Sequence, residues 1–139
     1  MREFLEFVDA ASSRLGMYCP GKTYGEFVAM IYGFSFARNH APLLGFREWL
    51  VMRFDGGNNM TWDGLALFIM NIRLDSYVEG DDQNHLKAVR GAANLISEFV
   101  HEREECGLRR VMVNYQNWLM AQSWYDPEIY DSGSYSRGE

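Results

Sequence analysis

The sequence predicts an all-α, single-domain bundle of five or six helices with short loops and a mobile C-terminal tail. Apolar residues recur at helical spacing along most of the chain, whereas the alternation typical of a strand never persists beyond about four residues. The length of 139 residues fits one domain and is sufficient for a hydrophobic core. We place the helical domain at residues 1–125 and the polar tail at 126–139.

The first two helices are separated by a predicted loop at residues 17–21. Helix one is expected at about 2–15, and its apolar face is formed by Phe4, Leu5, Val8, Ala11 and Leu15. Thr23 and Glu26 have the spacing of a capping box, which predicts the start of helix two, over about 24–38. Helix two is apolar nearly all round, which indicates a central, buried position.

The third and fourth helices lie on either side of a turn. The segment 43–54 contains the run WLVMRF, which could form a strand, but Arg47 and Glu48 favour a helix. The sequence Asp-Gly-Gly-Asn-Asn at 55–59 is typical of a turn. Helix four is then expected at about 62–78, with an apolar face that includes Trp62, Leu65, Ile69 and Ile72.

The last two predicted helices are the most regular. Helix five, at about 83–104, should direct Leu86, Val89, Ala93, Ile96 and Val100 inward. Gly107 ends it, and helix six follows at about 108–123 with a stripe of apolar and aromatic residues. The segment after Asp126 is polar and rich in glycine and serine, which predicts a mobile tail.

The charge of the chain argues against a nucleic-acid partner. Nineteen acidic and thirteen basic residues give a net charge of −6, whereas phosphate contacts require a basic surface. Residues 1–54 hold six basic and five acidic residues (net +1), and residues 55–139 hold seven basic and fourteen acidic residues (net −7). The acidic excess therefore lies in the second part of the chain.

The sequence also predicts a cytoplasmic protein that does not bind or span a membrane. The N-terminus carries charges at Arg2, Glu3 and Glu6 and has no apolar core of a signal peptide. No run of about 20 predominantly apolar residues is present. The two cysteines, Cys19 and Cys106, have no metal-type spacing and are expected to be free thiols in a reducing compartment.

No pattern in the sequence indicates catalysis, and we expect a protein that is not an enzyme. The histidines His40, His85 and His101 share no metal-binding spacing, and we interpret all three as surface residues. Neither cysteine has an activating signature, although a Cys–His pair formed by the fold remains open. The sequence thus predicts no catalytic residue, no cofactor and no metal.

The acidic and aromatic residues of the second part are the candidate partner-binding site. Carboxylates at a helix C-terminus are disfavoured by the helix dipole, which indicates a role other than stability. Exposed carboxylates attract a basic partner, and aromatic residues beside them could anchor it, or could simply cover the end of the bundle. The predicted set is Glu79, Asp81, Asp82, Glu102, Glu104, Glu105, Trp124 and Tyr125.

One part of the chain, about residues 14–70, resembles a known family. The matching features are Arg14-Leu15-Gly16-Met17-Tyr18, Gly21, Gly33-Phe34, Ala37, Phe46-x-x-Trp49-Leu50-x-x-Arg53-Phe54 and Trp62. They resemble small bacterial immunity proteins of polymorphic toxin or contact-dependent inhibition systems, although Leu15 stands where the family pattern usually has proline. Within this motif we expect Met17, Tyr18 and Trp49 to anchor the core.

The resemblance implies an immunity protein that binds a cognate bacterial toxin and neutralises it by occlusion. An acidic face would suit a basic toxin, such as a nuclease domain. The alternative is a small helical enzyme or ligand-binding domain with an aromatic-lined pocket between helices two, three and four. An adaptor or structural subunit is a third possibility that the sequence does not separate from the first.

Overall fold

The computed structural model describes residues 1–74 and 82–130, apart from the side chain of Tyr130. Within these ranges the regular structure is entirely helical, which confirms the predicted all-α fold. Six helices have nine residues or more, and α2 and α8 are single turns. The helices are α1 (Arg2–Ser13), α2 (Leu15–Tyr18), α3 (Tyr24–Ala37), α4 (Phe46–Phe54), α5 (Trp62–Met70), α6 (Asp82–Cys106), α7 (Leu108–Met120) and α8 (Pro127–Tyr130), with a 3₁₀ turn at Ala41–Leu43.

Helix α6 is the centre of the bundle. It has 25 residues, and α1, α3, α4, α5 and α7 all pack against it. Its predicted inward face is confirmed, because Val89, Ala93, Ile96 and Val100 are buried and Leu86 is partly buried. The apolar period of this helix therefore located the core correctly from the sequence.

The predicted capping box begins α3. The Thr23 hydroxyl accepts a hydrogen bond from the Glu26 N–H at 3.1 Å and donates one to the Glu26 carboxylate at 3.2 Å. The same carboxylate accepts a bond from the Gly21 N–H at 3.3 Å. The cap thus ties the helix start to the preceding loop as well as to its own first turn.

His85 is buried, so the prediction that all three histidines lie on the surface was wrong. Its side chain is 2% exposed, and its Nδ1 accepts a hydrogen bond from the Tyr24 N–H at 2.9 Å. This N–H belongs to the first turn of α3, where the donors have no partner within the helix. His85 shares the inward face of α6 with Val89, and the imidazole provides the acceptor that an apolar residue would lack.

Arg103 makes a second buried polar contact from α6. Its Nη1 donates to the carbonyl oxygens of Ala41 at 3.0 Å and Leu44 at 2.8 Å, and its guanidinium lies 5.0 Å from the centre of the Phe99 ring. Burial lowers the pKa of Arg103, and the nearby Glu104 opposes that shift. The carbonyl contacts compensate for the water that the charged group loses.

The N-terminal part of the predicted motif differs from expectation. Helix α1 ends at Ser13, and the single turn α2 extends into the first two residues of the segment predicted as a loop. Met17 lies in this turn with 75% of its surface exposed, and Tyr18 is also exposed. Neither is a core anchor, because α2 buries Leu15 and leaves Met17 and Tyr18 exposed, whereas Trp49 is buried as predicted.

Three later boundaries also differ. Helix α5 ends at Met70, not near 78, because Asn71 adopts a left-handed conformation (φ 54°) and its N–H bonds back to the carbonyls of Leu67 and Phe68. Helix α4 begins at Phe46, after the 3₁₀ turn, and α7 ends at Met120. The predicted tail contains the short helix α8, and the segments 75–81 and 131–139 lie outside the described residues.

Both cysteines are free thiols, as predicted. Cys19 is buried, with its Sγ 3.3 Å from the Sδ of Met30, and Cys106 is exposed. Burial raises the pKa of the Cys19 thiol, and the charge of Glu26 adds to the shift. Within the described ranges, no helix combines the length and the apolarity needed to cross a membrane.

The contact between His85 and Tyr24 should contribute strongly to stability. We expect His85→Ala to lower the free energy of unfolding by about 2–4 kcal/mol, since it leaves a buried N–H without an acceptor and opens a cavity. His101→Ala is the control, because His101 lies on the same helix but is exposed, and it should cost less than about 0.5 kcal/mol. Urea unfolding measures both, and equal effects would contradict the assigned role.

Candidate functional site

The predicted partner-binding carboxylates do not form a single surface. Asp82 begins α6, whereas Glu102, Glu104 and Glu105 lie in its last turns. Twenty residues of α-helix separate Asp82 from Glu102, a rise of roughly 30 Å. Glu79 and Asp81 lie outside the described residues. The predicted carboxylates that the structure describes are therefore divided between the two ends of one long helix.

Two acids of α6 hold α4. The Trp49 Nε1–H donates a hydrogen bond to Glu102, and Arg53 forms an ion pair with Glu98 at 2.7 Å. The Arg53 guanidinium also lies 4.9 Å from the centre of the Trp49 ring. Since Glu98 and Glu102 are four residues apart, they share one face of α6. Glu102 thus has a structural partner that the sequence pattern did not indicate.

Glu104 faces a different neighbour and lines a groove between α1 and α6. This groove has a volume of about 500 Å³ and is here named the acidic groove. Its lining residues are Arg2, Leu5, Glu6 and Asp9 from α1, and Ser97, His101 and Glu104 from α6. Glu104, a carboxylate of the predicted set, therefore lies beside Glu6 and Asp9, which belong to the nearly neutral N-terminal part.

Carboxylates outnumber cations in the acidic groove. Arg2 pairs with Glu6 at 2.9 Å, and both side chains are mostly exposed. Asp9 and Glu104 form no ion pair with any residue that the structure describes. The Nδ1 of His101 is 2.7 Å from the Ser97 carbonyl oxygen, to which it donates, so its Nε2 is available as an acceptor when the ring is neutral. The groove is suited to a cationic group.

The predicted aromatic anchors lie elsewhere. Trp124 is 46% exposed and packs edge-on against Trp118, with ring centres 6.2 Å apart. Trp118 in turn donates from its Nε1 to Asp55 at 2.8 Å. Tyr125 follows and is half-buried. Glu104 precedes α7 and Trp124 follows it, and that helix rises roughly 18 Å, so the anchors and the acidic groove are separate features.

A second groove lies where the alternative interpretation expected a pocket. It is bounded by α3, the 3₁₀ turn and the starts of α4 and α5, and its volume is about 490 Å³. We name it the aromatic groove. The residues that line it are Tyr32, Ser35, His40, Leu43, Leu44, Gly45, Arg47, Glu48, Asn59, Met60, Thr61 and Trp62.

Aromatic packing and two polar contacts shape the aromatic groove. The Trp62 ring packs against Tyr32 (5.4 Å between centres) and against Phe46 (5.5 Å). The Tyr32 hydroxyl donates to Asp63 Oδ1 at 3.2 Å. Arg47 donates from its Nε to the Met60 carbonyl at 2.7 Å, which connects α4 to the segment before α5.

Comparison with known proteins does not assign either groove. No family model, curated protein or solved structure matches this chain. In the described ranges, no group of three or more His, Cys, Asp or Glu side chains is arranged to hold a metal ion.

The pKa of Tyr32 should depend on its hydrogen bond to Asp63. Burial, followed by the charge and hydrogen bond of Asp63, raises the pKa of Tyr32 to about 12 from the usual 10.0. The neutral phenol is thus favoured by folding, so its contribution to stability is complete below pH 10 and is lost as the pH rises through about 12. Asp63→Asn should lower this pKa toward the usual value.

Ultraviolet titration of the phenolates measures the effect. Tyr32 is one of eight tyrosines, so its curve is obtained as the difference between each protein and the same protein carrying Tyr32→Phe. If Asp63→Asn leaves the difference curve unchanged, the carboxylate does not influence the phenol.

Proposed function

We propose that this chain is an immunity protein, without catalytic activity, that neutralises a cognate bacterial toxin by occluding it. The resemblance of residues 14–70 supports this class of protein. The proposed mode of binding is supported by one observation: Glu6, Asp9 and Glu104 all line the acidic groove. In this proposal a lysine- or arginine-rich surface of the toxin, such as that of a nuclease domain, enters the groove.

The arrangement of charges suits rapid recognition. Asp9 and Glu104 come from two helices and face one concavity, so their fields add at the place where a cation would sit. Exposed carboxylates lose little hydration in the free protein and therefore cost little to maintain. Charges of this kind mainly raise the association rate and select against acidic partners.

The other predicted contacts keep a secondary place in the proposal. Asp82 is exposed but lies at the far end of α6, and Glu105 is exposed near its C-terminus. Trp124 is 46% exposed, which suits an apolar anchor, and its contact with Trp118 also fits a cover for the end of α7. The assignment of Trp124 and Tyr125 as anchors stays a prediction.

Charge reversal in the acidic groove tests the proposal. We expect Asp9→Lys combined with Glu104→Lys to slow association with the toxin by about tenfold at low salt and to weaken the salt dependence of that rate. The toxin to use is the product of the reading frame immediately upstream. Stopped-flow or surface-based kinetics at several salt concentrations give the rates, and survival of toxin-expressing cells gives the protection.

The matched control reverses the charge of Asp82, the first residue of α6, and of the residue that precedes it in the chain. Asp81→Lys combined with Asp82→Lys changes the net charge by the same amount, and circular dichroism checks that both proteins fold. If this control slows association as much as the groove variant, the acidic groove does not have the leading part in binding that we propose. An upstream frame that encodes no toxin, or undiminished binding by the groove variant, would refute the proposal.

A further inference from the structure

The outward side of α3 exposes an apolar stripe without charges. Ala29, Tyr32, Gly33, Phe36 and Ala37 recur at helical spacing, and all five are exposed. Phe36 is 72% exposed and Tyr32 is 41% exposed. A surface helix normally has charged or polar residues on this side, so an apolar stripe there indicates contact with another surface. We name these five residues the outer face of α3.

Gly33 has no packing reason inside the chain. Glycine in the interior of a helix weakens it relative to alanine. A Cβ at Gly33 would meet no atom of the described residues within 4 Å, whereas a Cβ at Gly91 of α6 would meet the side chain of Met70. Gly91 thus makes room for α5. Gly33 makes room outside the folded chain, where the backbone of a second helix could approach closely.

The charges of the molecule favour a second copy of this chain as the occupant. Two copies with a net charge of −6 repel each other wherever their acidic surfaces meet, and the outer face of α3 avoids this repulsion. Glu26 lies in the first turn of α3, and Arg38 follows its last residue. In an antiparallel pair of these helices, the acidic end of each lies near the basic end of the other. Arg38 also pairs with Glu3 in the single chain, so this attraction supplements the apolar contact.

The exposed area suits a weak and reversible dimer. Because a large aromatic side chain has about 200 Å² of surface, the exposed parts of Tyr32 and Phe36 offer roughly 230 Å². The aromatic groove continues this surface, since it is lined by Tyr32 and by His40, and His40 packs against Phe36. A standard interface buries about 800 Å² on each partner, so this face lies at the low end, where association is weak.

We propose that two copies of this chain associate through the outer face of α3, with the two helices antiparallel and a two-fold axis at Gly33. The same residues of each copy then form both halves of the interface. The contact removes the exposed rings of Tyr32 and Phe36 from water. This inference does not depend on the proposed immunity function, because the acidic groove is formed by α1 and α6.

Sedimentation equilibrium of the full chain measures the association. We expect the weight-average mass to rise from 16.1 kDa toward twice that value between about 5 and 500 µM, as a weak interface predicts. Gly33→Leu should remain monomeric over this range, because the leucine side chain would hold the two helices apart. The variant should fold, since the position is open in the single chain and leucine favours a helix more than glycine does.

A second variant and a matched control locate the interface. Phe36→Lys should weaken dimerisation by about tenfold or more, because it removes the most exposed ring and adds like charges on both copies. Phe68→Lys is the control, because Phe68 is also an exposed ring (59% against 72%) but lies on α5. It should dimerise as the unmodified chain does, and circular dichroism checks the folding of every variant.

A cysteine cross-link tests the position of the axis. Cys106→Ser first removes the exposed native thiol, and Cys19 is buried. With Gly33→Cys added, the two new thiols lie close together across the axis, and oxidation by copper phenanthroline should form a covalent dimer. Phe68→Cys in the same background should cross-link more slowly.

Each contrary result would overturn the proposal. The chain could stay monomeric up to about 500 µM, or the Gly33 and Phe36 variants could associate as well as the unmodified chain does. Equal loss in Phe68→Lys, or equally fast cross-linking through Phe68→Cys, would show that another surface mediates the contact. A monomeric chain whose toxin binding is weakened by Gly33→Leu would show that this face contacts the toxin instead. Charge reversal in the acidic groove tests a different surface, so either proposal can fail alone.

Discussion

The rest of the structure depends on two polar contacts by which α6 holds the start of α3 and the 3₁₀ turn that follows this helix. His85 accepts the Tyr24 N–H in the first turn of α3, and Arg103 binds the carbonyls of Ala41 and Leu44, at the start of the 3₁₀ turn and just after it. Both side chains are buried. Backbone donors at a helix start and carbonyls in a turn can be buried only where hydrogen-bond partners are supplied. These contacts therefore fix the position of α3 more strictly than apolar packing alone.

The position of α3 in turn determines the aromatic groove. Tyr32 lies on α3, and the segment that Arg103 holds continues into the turn before α4. Trp62 opens α5 and packs against both Tyr32 and Phe46, so the groove lies where three helices meet. Its geometry follows from the same contacts that stabilise the core, which explains how a small helical protein can keep an open concavity without collapse.

The acidic residues serve two different purposes, and net charge alone does not distinguish them. Glu98 and Glu102 contact Arg53 and Trp49 and thereby hold α4 against α6. Glu104 lies two residues beyond Glu102, which on a helix points it to another side, toward α1. There it meets Glu6 and Asp9, which belong to the part of the chain with a net charge of +1. The excess of carboxylates at the acidic groove thus arises because α1 packs against α6, and the net charge of either part of the chain does not show it.

The amino-acid sequence by itself determined the fold class, the helical segments and the inward face of α6, because apolar periodicity reports directly which side of a helix is buried. It also determined the Thr23 cap and the free thiols. It did not predict the early end of α5. The helix ends because Asn71 adopts a left-handed conformation, and the segment contains no Gly or Pro that would indicate this end.

Only the tertiary structure decided which faces meet. Glu6 and Asp9 on α1, and Ser97, His101 and Glu104 on α6, have visible helical spacing, but nothing local shows that these two polar stripes adjoin. In the same way, the roles of His85 and Trp62 depend on distant residues. His85 accepts a hydrogen bond from a residue 61 positions away in the chain, and the Trp62 ring packs against Tyr32 and Phe46. Such properties belong to pairs of distant residues, and a pattern along one segment does not contain them.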